Sequence, residues 1–563
     1  MKNVFYLMLR RLRLPLIVLI TVYAISVVGL TLIPGMDDQG RPWRMDFFHA
    51  IYFVSFLGST IGFGEIPYAF TDAQRMWTTF IIYAAVVAWL YAIGTILTLI
   101  QDQGFRRVVA FTSFARKIAR SQEPFYIVCG YGDASSMLVR ELTRHHIHCV
   151  VVEKDHEKIL GLAVEDLAEY VPGLCEDATR SDTLVAAGLR HPCCQGVVAL
   201  TGSDHCNLTI AISCKLLAPQ LPVICQSDTR DTAANMDSFG TDYIIDPFEI
   251  FASRFAMLFH SPSMYLVYRW MTSTMHAPLA DFTRPPGGTW LLCGFGRFGK
   301  AVQDYITAEG IGLRIIEADI SRTDAPAGTI EGRGTEASTL IEGGVAEAAG
   351  IIAGTDNDAN NLSIIITARQ LNPSLFTVGR QNNRDSDELF SAAKIDMTMQ
   401  PAEIVARHIL GLILAPLLDD FLRLTHDQDE EWANVMVSRV AGVVEDVTPE
   451  TWNLKISPLQ TPAVFDCLIR GETVTVGQLC THPQDREEML PCVPLLIKRE
   501  KEELLQPEMQ ETLQAGDHIL FCGRSEAARQ MAHTVNDHQS LLYVRTGEDR
   551  PGGLVWEWLM RKT

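Results

Sequence analysis

Between residues 59 and 65 the chain reads Ser59-Thr60-Ile61-Gly62-Phe63-Gly64-Glu65. Glycines at alternate positions let successive backbone carbonyls point the same way, and stacked carbonyl oxygens can replace the water shell of a cation. Taken in isolation, the same residues also read as a glycine-rich turn in a hairpin. A second kind of chemistry is written twice further on. Gly130-Tyr131-Gly132-Asp133-Ala134-Ser135 follows the short apolar run Phe125 to Cys129, and Glu153 stands 23 residues after Gly130. Gly294-Phe295-Gly296-Arg297-Phe298-Gly299 follows Trp290 to Cys293, and Glu317 stands 23 residues after Gly294. In such a pattern the first glycine makes a tight turn, the second lets a phosphate approach the backbone, and the third position packs helix on strand. The helix amides then meet the phosphates, and the acid accepts hydrogen bonds from a ribose. Ser135 departs slightly from the Gly or Ala of that third position. Two copies, each after a strand and before a helix, argue for the fold more strongly than for a ligand in either site.

The elements that must position the first loop are apolar. Leu14 to Pro34 and Met76 to Ile100 carry no charge, and each is long enough to cross a ~30 Å hydrocarbon core at ~1.5 Å per residue. Arg10, Arg11 and Arg13 also fit the basic end of a signal peptide, but the run is long and Gly29 to Gly35 offers no small-x-small cleavage site. Lys2 and these arginines precede the first run, and Arg106, Arg107, Arg116, Lys117 and Arg120 follow the second, which predicts that both ends are cytoplasmic. Asp46 to Ser59 is apolar and aromatic but too short to span, so it fits a re-entrant helix whose C-terminal dipole favours a cation. Irregular backbone at membrane depth must be buried in protein or face water, and one loop cannot surround an ion, so several chains must contribute.

The rest of the chain repeats itself. Asn207-Leu208 matches Asn361-Leu362, and Asp246-Pro247 matches Gln400-Pro401, at an offset of 154, whereas the fingerprints are offset by 164. The second copy has therefore lost ten residues between its second and fourth strands, and the crossover helix near Asp155 to Val164 is the expected place. Strands alternating with helices predict doubly wound parallel sheets. Trp432 to Ser540 changes character, with strand-like runs at Ala441 to Val444 and His518 to Phe521.

These tandem units resemble RCK domains (regulators of potassium conductance), and the whole layout resembles prokaryotic two-span potassium channels with tandem RCK domains. The resemblance implies an α-helical membrane pore followed by two Rossmann-like α/β RCK domains and a small α+β RCK C-terminal subdomain. Its segments are a pore over 1–100 (spans 14–34 and 76–100, pore helix and filter 46–65), a gating linker over 101–123, and a first Rossmann-like domain over 124–246. A helical crossover over 247–288, a second Rossmann-like domain over 289–400, a crossover over 401–431, the subdomain over 432–540 and a tail over 541–563 complete it. It implies a homotetramer in the cell (inner) membrane, with its N-terminus and gating ring cytoplasmic. Thr60, Ile61, Gly62, Phe63 and Gly64 would form a selectivity filter for K+. Phe63 lacks the hydroxyl that ties such a filter to the pore helix, Tyr52 and Phe53 stand where tryptophans are common, and Phe56 where some relatives bury a carboxylate. Packing would then brace the filter more than hydrogen bonds. Gly94 lies where such channels hinge their inner helix, and equally suits a packing glycine.

The first nucleotide site would use Gly130, Gly132, Asp133, Ala134 and Ser135 at the phosphates, Glu153 at the ribose, and Asp177 and Thr201 near later strand ends. The second would use Gly294, Gly296, Arg297, Phe298 and Gly299, with Glu317 at the ribose. Arg333 replaces the first copy's Asp177, so the two sites should prefer different ligands, of the NAD or adenine nucleotide (ADP or ATP) kind. RCK rings often bind Ca2+, and Asp204, Asp228, Asp356 and Asp358 lie near strand ends, but helix caps and solvated loops are the commoner roles of aspartate and no metal site is named from them.

A net charge of −20 argues against nucleic acid as a partner. The 13 cysteines all follow the second apolar run and contain no Cys-x-x-Cys, which suits reduced thiols rather than zinc or disulfides. No spacing marks a catalytic acid, base or metal beside a nicotinamide, so a membrane-anchored NAD-dependent oxidoreductase is the lesser reading, alongside a less selective cation channel. A regulatory subunit for a separate transporter would lack the pore loop.

Overall fold

The computed structural model describes residues 2–63, 66–272, 283–426, 428–500 and 502–548, and the chain divides into two compact units, one formed chiefly by Met1–Ser121 and the other by most of the remainder. In the first unit a helix Lys2–Leu32 carries the first span, Leu12–Leu32, and a helix Asp72–Gln101 is the second. The second begins at a reciprocal cap, in which Thr71 and Gln74 each bond the other's backbone. Both spans leave apolar side chains such as Ile20, Val28, Phe80, Val87 and Leu90 exposed, as elements facing lipid or further copies must. Between them the pore helix Phe47–Gly58 is capped by Asp46, whose carboxylate accepts from the His49 amide at 2.8 Å.

Small residues set how closely these helices approach. A Cβ on Gly29 would lie 2.2 Å from the Trp77 ring, and one on Gly58 would lie 2.3 Å from the Tyr23 hydroxyl and 3.0 Å from the Trp89 ring. Trp89 Nε1 donates to that hydroxyl at 2.6 Å, so Gly58 makes room for the hydrogen bond joining the two spans behind the pore helix. Residues 101–123 hold a further helix, Gln103–Ile118, separated from the second span only by Asp102 in an extended conformation, where its carboxylate caps the new helix.

The second unit contains two parallel six-stranded sheets. The first is built from β1 (Phe125–Cys129), β2 (His148–Glu153), β3 (Gly173–Cys175), β4 (Cys194–Ala199), β5 (Val223–Gln226) and β6 (Tyr243–Ile245). The second contains β7 (Thr289–Cys293), β8 (Gly312–Glu317), β9 (Ile330–Glu331), β10 (Gly350–Ala353), β11 (Phe376–Arg380) and β12 (Met397–Met399). Their orders, β3-β2-β1-β4-β5-β6 and β9-β8-β7-β10-β11-β12, reverse beside the first strand of each, where open α/β sheets gather ligands. The crossover helix after the second strand shrinks from His156–Val164 to Ile320–Thr323, which is where the second copy loses most of its missing length.

The two Rossmann-like halves exchange helices. Phe248, Phe251, Phe255 and Leu258, on the helix Pro247–His260 that follows the first sheet, are buried with Trp290, Phe298 and Val302 of the second. Val405, Ala406, Ile409 and Leu410, on the helix Pro401–Leu414 that follows the second sheet, are buried with Leu138, Val139 and Leu142 of the first. That helix and Leu417–Thr425 together are apolar enough for a span, but they bend by 114° and their apolar faces are occupied by protein. Arg230 adds a polar tie, with Nη2 at 2.6 Å from Glu249 and 2.7 Å from Asp304.

The C-terminal part has an antiparallel sheet of β13 (Glu450–Lys455), β14 (Cys492–Arg499), β15 (Glu502–Leu505) and β16 (His518–Gly523), ordered β13-β16-β14-β15. One expectation fails here. Ala441 to Val443 ends a helix, Glu430–Val443, and Val444 is its cap, because Met436 and Val440 repeat at helical spacing and are buried against β14 and β16. The packed region also runs past Ser540, through a helix His538–Thr546 whose Leu541 is fully buried. Residues 549–563 of the tail lie outside the described residues.

Two outcomes follow from this packing. Gly58→Val should break the Trp89–Tyr23 bond and cost about 1–3 kcal/mol, the usual range for overpacking, read as a lowered unfolding temperature of the detergent-solubilised protein. His408, on the exchanged helix Pro401–Leu414, has its imidazole pushed down to about 4 by burial and by nearby Arg254. The folded state therefore favours the neutral ring. Its stabilisation is complete above about 6.5, the unfolded value, and fades as pH falls toward 4. Denaturant unfolding of the protein at a series of pH values should show this acid sensitivity, and His408→Gln should flatten it.

Candidate functional site

The pore loop folds back on the end of its helix. The Thr60 amide donates to the Leu57 carbonyl and the Ile61 amide to the Phe56 carbonyl, both at 3.1 Å. Thr60 and Gly62 have φ of +60° and +66°, the alternation that lets successive carbonyls share a side. Ile61 and Phe63 are 62% and 68% exposed within the single chain. Behind the loop sits an aromatic cluster. Phe53 stands edge-on to Phe56 and to Phe70, each at 5.1 Å, and Phe56 stands edge-on to Phe63 at 6.4 Å. Gly64 and Glu65 lie outside the described residues. Gly94 lies within an unbroken helix, and a Cβ there would meet nothing within 4 Å, so no close contact inside the chain requires the glycine.

Each fingerprint lines a cavity at the switch point of its sheet, of about 580 Å³ in the first copy and about 780 Å³ in the second. Gly130 has φ of +95°, and a Cβ there would lie 2.6 Å from the Leu200 carbonyl oxygen; Gly294 has φ of +99°. Gly132 and Gly296 differ, because a Cβ on either would meet nothing and would enter the cavity. They open each helix without a side-chain cap, leaving its first amides facing the cavity. This arrangement suits a phosphate.

The acids at the ends of β2 and β8 do double duty. Glu153 accepts from the Tyr131 amide at 2.7 Å and the Asp155 amide at 2.8 Å, and Glu317 accepts from the Phe295 amide at 2.5 Å and the Asp319 amide at 3.0 Å. Each carboxylate thus braces its fingerprint loop, and with about four acceptor positions it keeps capacity for ribose hydroxyls. Thr201 lines the first cavity, but its hydroxyl donates to Asn207 Oδ1 at 2.7 Å. Asn207 Nδ2 donates to the Gln226 carbonyl, and Asn361 repeats both bonds with Thr355 and Arg380, which explains the repeated Asn-Leu landmark as a pin between two strand ends. Asp177 lines the first cavity; hydrogen bonds from Thr179 hold its carboxyl below the usual range.

Ser135 lines the first cavity but is fully buried, its Oγ accepting from the Gly132 amide at 2.9 Å. Two residues of the second fingerprint stand outside its cavity. Phe298 is fully buried against Phe248 and Phe251. Gly299 packs the helix on its strand, since a Cβ there would lie 2.3 Å from the Gly294 carbonyl oxygen. By contrast, Asp133 and Ala134 line the first cavity, and Arg297 lines the second. Arg297 also reaches across to the first half, with Nη1 2.9 Å from Asp228, a residue of the first cavity.

Sequence reading overlooked Lys300, Arg322 and Arg380 in the second cavity. Arg380 was findable as the counterpart of Gln226 at the same 154-residue offset as the Asn-Leu landmark. Among the described residues no group of three or more His, Cys, Asp or Glu is placed to hold a metal ion. Asp204 accepts from the Asp228 amide and from Thr229, and Asp358 from the amides of Asn382 and Asn383, so nothing in these carboxylates supports calcium.

Comparison with known families accords with this division. The Ion channel family model matches residues 17–102, and the TrkA-N domain model matches residues 126–247 and 290–401. Among curated proteins, Potassium channel protein 1 of Methanocaldococcus jannaschii is 26% identical over 255 residues, covering 45% of this chain and 72% of its own. Probable potassium channel protein 2 of the same organism is 23% identical over 265 residues, covering 45% and 68%. An uncharacterized protein of Methanothermus fervidus is 27% identical over 227 residues, which are 40% of this chain but 34% of that one. Among solved structures, the GsuK channel bound to NAD aligns over 95% of this chain and 99% of its own, at 15% identity and a TM-score of 0.48.

Proposed function

We propose that this chain, which belongs to the potassium channels that join a two-span pore to tandem RCK (TrkA-N) domains, forms a fourfold potassium-selective pore opened or closed by nucleotides. The observation that carries the reading is one chain holding both a short capped helix ending in the Thr60 to Phe63 loop between two spans, and two glycine-floored cavities at sheet switch points. Four copies of the loop would surround K+ with the carbonyls of Thr60, Ile61, Gly62 and Phe63, and would cover the exposed Ile61 and Phe63 side chains. Both chain ends and the RCK ring lie on the cytoplasmic side of the inner membrane, following the basic residues that flank the spans.

The ligands are NAD or adenine nucleotides. The fingerprint amides bind the phosphates, and Glu153 and Glu317 hold the ribose while they brace their loops. A nucleotide that binds two ring shapes unequally shifts the ring between them, with about 1–3 kcal/mol of coupling per site, repeated around a symmetric ring. The helix Gln103–Ile118 transmits the shift, and Gly94 gives the inner helix its point of bending.

Reversal potentials of the purified protein in planar bilayers, with K+ and Na+ on opposite sides, should lie near the K+ equilibrium value. Equal permeability would leave a less selective cation channel, in keeping with a filter braced by Phe56 and Phe63 rings. Glu153→Ala or Glu317→Ala removes the partner of two backbone amides as well as the ribose contact. Nucleotide affinity should fall about 10- to 100-fold, as expected for lost charge-assisted hydrogen bonds, with single-channel conductance unchanged. A changed conductance with intact nucleotide modulation would refute that assignment.

A further inference from the structure

The two cavities share a backbone plan and differ in charge. The second is lined by Arg297, Lys300, Arg322, Arg333 and Arg380 against Glu317, Asp319 and Asp356. The first is lined by two lysines, Lys154 and Lys158, against Asp133, Glu153, Asp177, Asp204 and Asp228. The differences fall at equivalent positions of the repeat. Asp133 of the first fingerprint becomes Arg297, Asp177 becomes Arg333, and Gln226 becomes Arg380. In the first copy an exposed carboxylate, that of Asp133, therefore stands at the helix end where a phosphate would rest.

Arg380 is the most telling of these. It ends β11 with its guanidinium 4.8 Å from the centre of the Phe248 ring, and its Nε is buried without a hydrogen-bond partner among the described residues. Burial and the neighbouring charge of Arg297 press its pKa below the ordinary arginine value. The carboxylates of Asp356, Asp228 and Asp358 offset this only in part, so a largely buried cation beside a second cation, against an aromatic ring, favours a further anion.

Building on the nucleotide reading above, we infer that the two sites divide their ligands by charge. The second site, with Arg297, Arg333 and Arg380, takes a nucleoside polyphosphate with a free phosphate terminus, of the ADP or ATP kind. The first site takes an adenine dinucleotide of the NAD kind. A terminal phosphate carries about −1.5 to −2 charge at neutral pH, whereas each phosphate inside a dinucleotide carries a single charge. The cluster of carboxylates in the first cavity penalises the former far more than the latter.

The test is equilibrium binding of ATP and of NAD to the full-length protein in detergent, with EDTA present so that no divalent cation masks phosphate charge. Gly132→Val and Gly296→Val each place a side chain where the protein itself offers no contact within 4 Å, so each blocks one cavity without disturbing its packing. Gly296→Val should abolish ATP binding and leave NAD binding intact, and Gly132→Val should do the reverse. Arg333→Asp, which restores the first copy's residue on an exposed side chain, and Arg380→Gln should each weaken ATP at least about tenfold, with NAD affinity unchanged. Loss of ATP in Gly132→Val, or equal effects of both glycine variants on both nucleotides, overturns the division by charge and leaves the nucleotide reading standing. Failure of the wild-type protein to bind one of the two nucleotides likewise overturns only the division, whereas failure to bind both overturns the nucleotide reading itself.

Discussion

The second unit depends on the exchange of two helices. Neither Rossmann-like half covers its own sheet completely. Phe248, Phe251 and Phe255 leave the first half and are buried beside Trp290 and Phe298 of the second, while Val405, Ile409 and Leu410 return to the first. Each half buries apolar surface that only the other supplies, so neither can rotate away without exposing large aromatic or branched side chains to water. The exchange also brings the sites together. Phe248, carried in on the exchanged helix, is the ring over which Arg380 and Arg297 lie, so two cations of the second cavity rest on a side chain from the first half.

This geometry links the two cavities by an ion pair. Arg297 belongs to the second fingerprint but holds Asp228, which lines the first cavity. On the nucleotide reading proposed above, a phosphate in the second cavity would compete with Asp228 for that guanidinium. Asp228 would then lose its charge partner and make the first cavity less hospitable to an anion. Occupancy of the second site would so oppose occupancy of the first, and linkage would make the opposition mutual. The pair is partly exposed, so salt screens it and the coupling is a matter of degree.

How much of this was legible in the residues follows from the kind of signal each feature leaves. Local patterns were readable: the capped run Asp46 to Ser59, the uncharged spans, and the 23-residue interval from glycine to acid each reflect a periodicity or a turn requirement that lies within one segment. The shortened crossover helix was readable because the two copies could be set against each other. Ala441 to Val444 misled because a run of small and β-branched residues suits a strand by propensity, whereas Val440 and Met436, one and two turns before Val444, commit it to a helix once β14 and β16 offer a surface. Phe298 stands outside the cavity because a motif states which residues are needed but not which way they face, whereas Gly299 packs helix on strand, the role the motif gives its third position. The cations of the second cavity were hidden for a different reason. Lys300, Arg322 and Arg380 are scattered over 81 positions and meet only when the sheet is wound, as do Arg297 and Asp228 across the two halves.

The filter poses the complementary problem, because its brace is visible and its cover is not. A loop held by hydroxyl and indole hydrogen bonds resists distortion through directional contacts, whose strength falls steeply with angle. The loop here is backed by Phe53, Phe56, Phe63 and Phe70, whose edge-to-face contacts of 5.1–6.4 Å tolerate small slides with little loss. The backbone adds directional ties, with Thr60 and Ile61 bonded to Leu57 and Phe56. The start of the loop is therefore anchored to the pore helix, and the Phe63 ring stands against Phe56. Selectivity by carbonyl ligands requires that their spacing not adapt freely to a smaller ion. If four copies close the pore as proposed, its stringency would be set less by the glycines that shape the loop than by how tightly four such aromatic clusters pack around it.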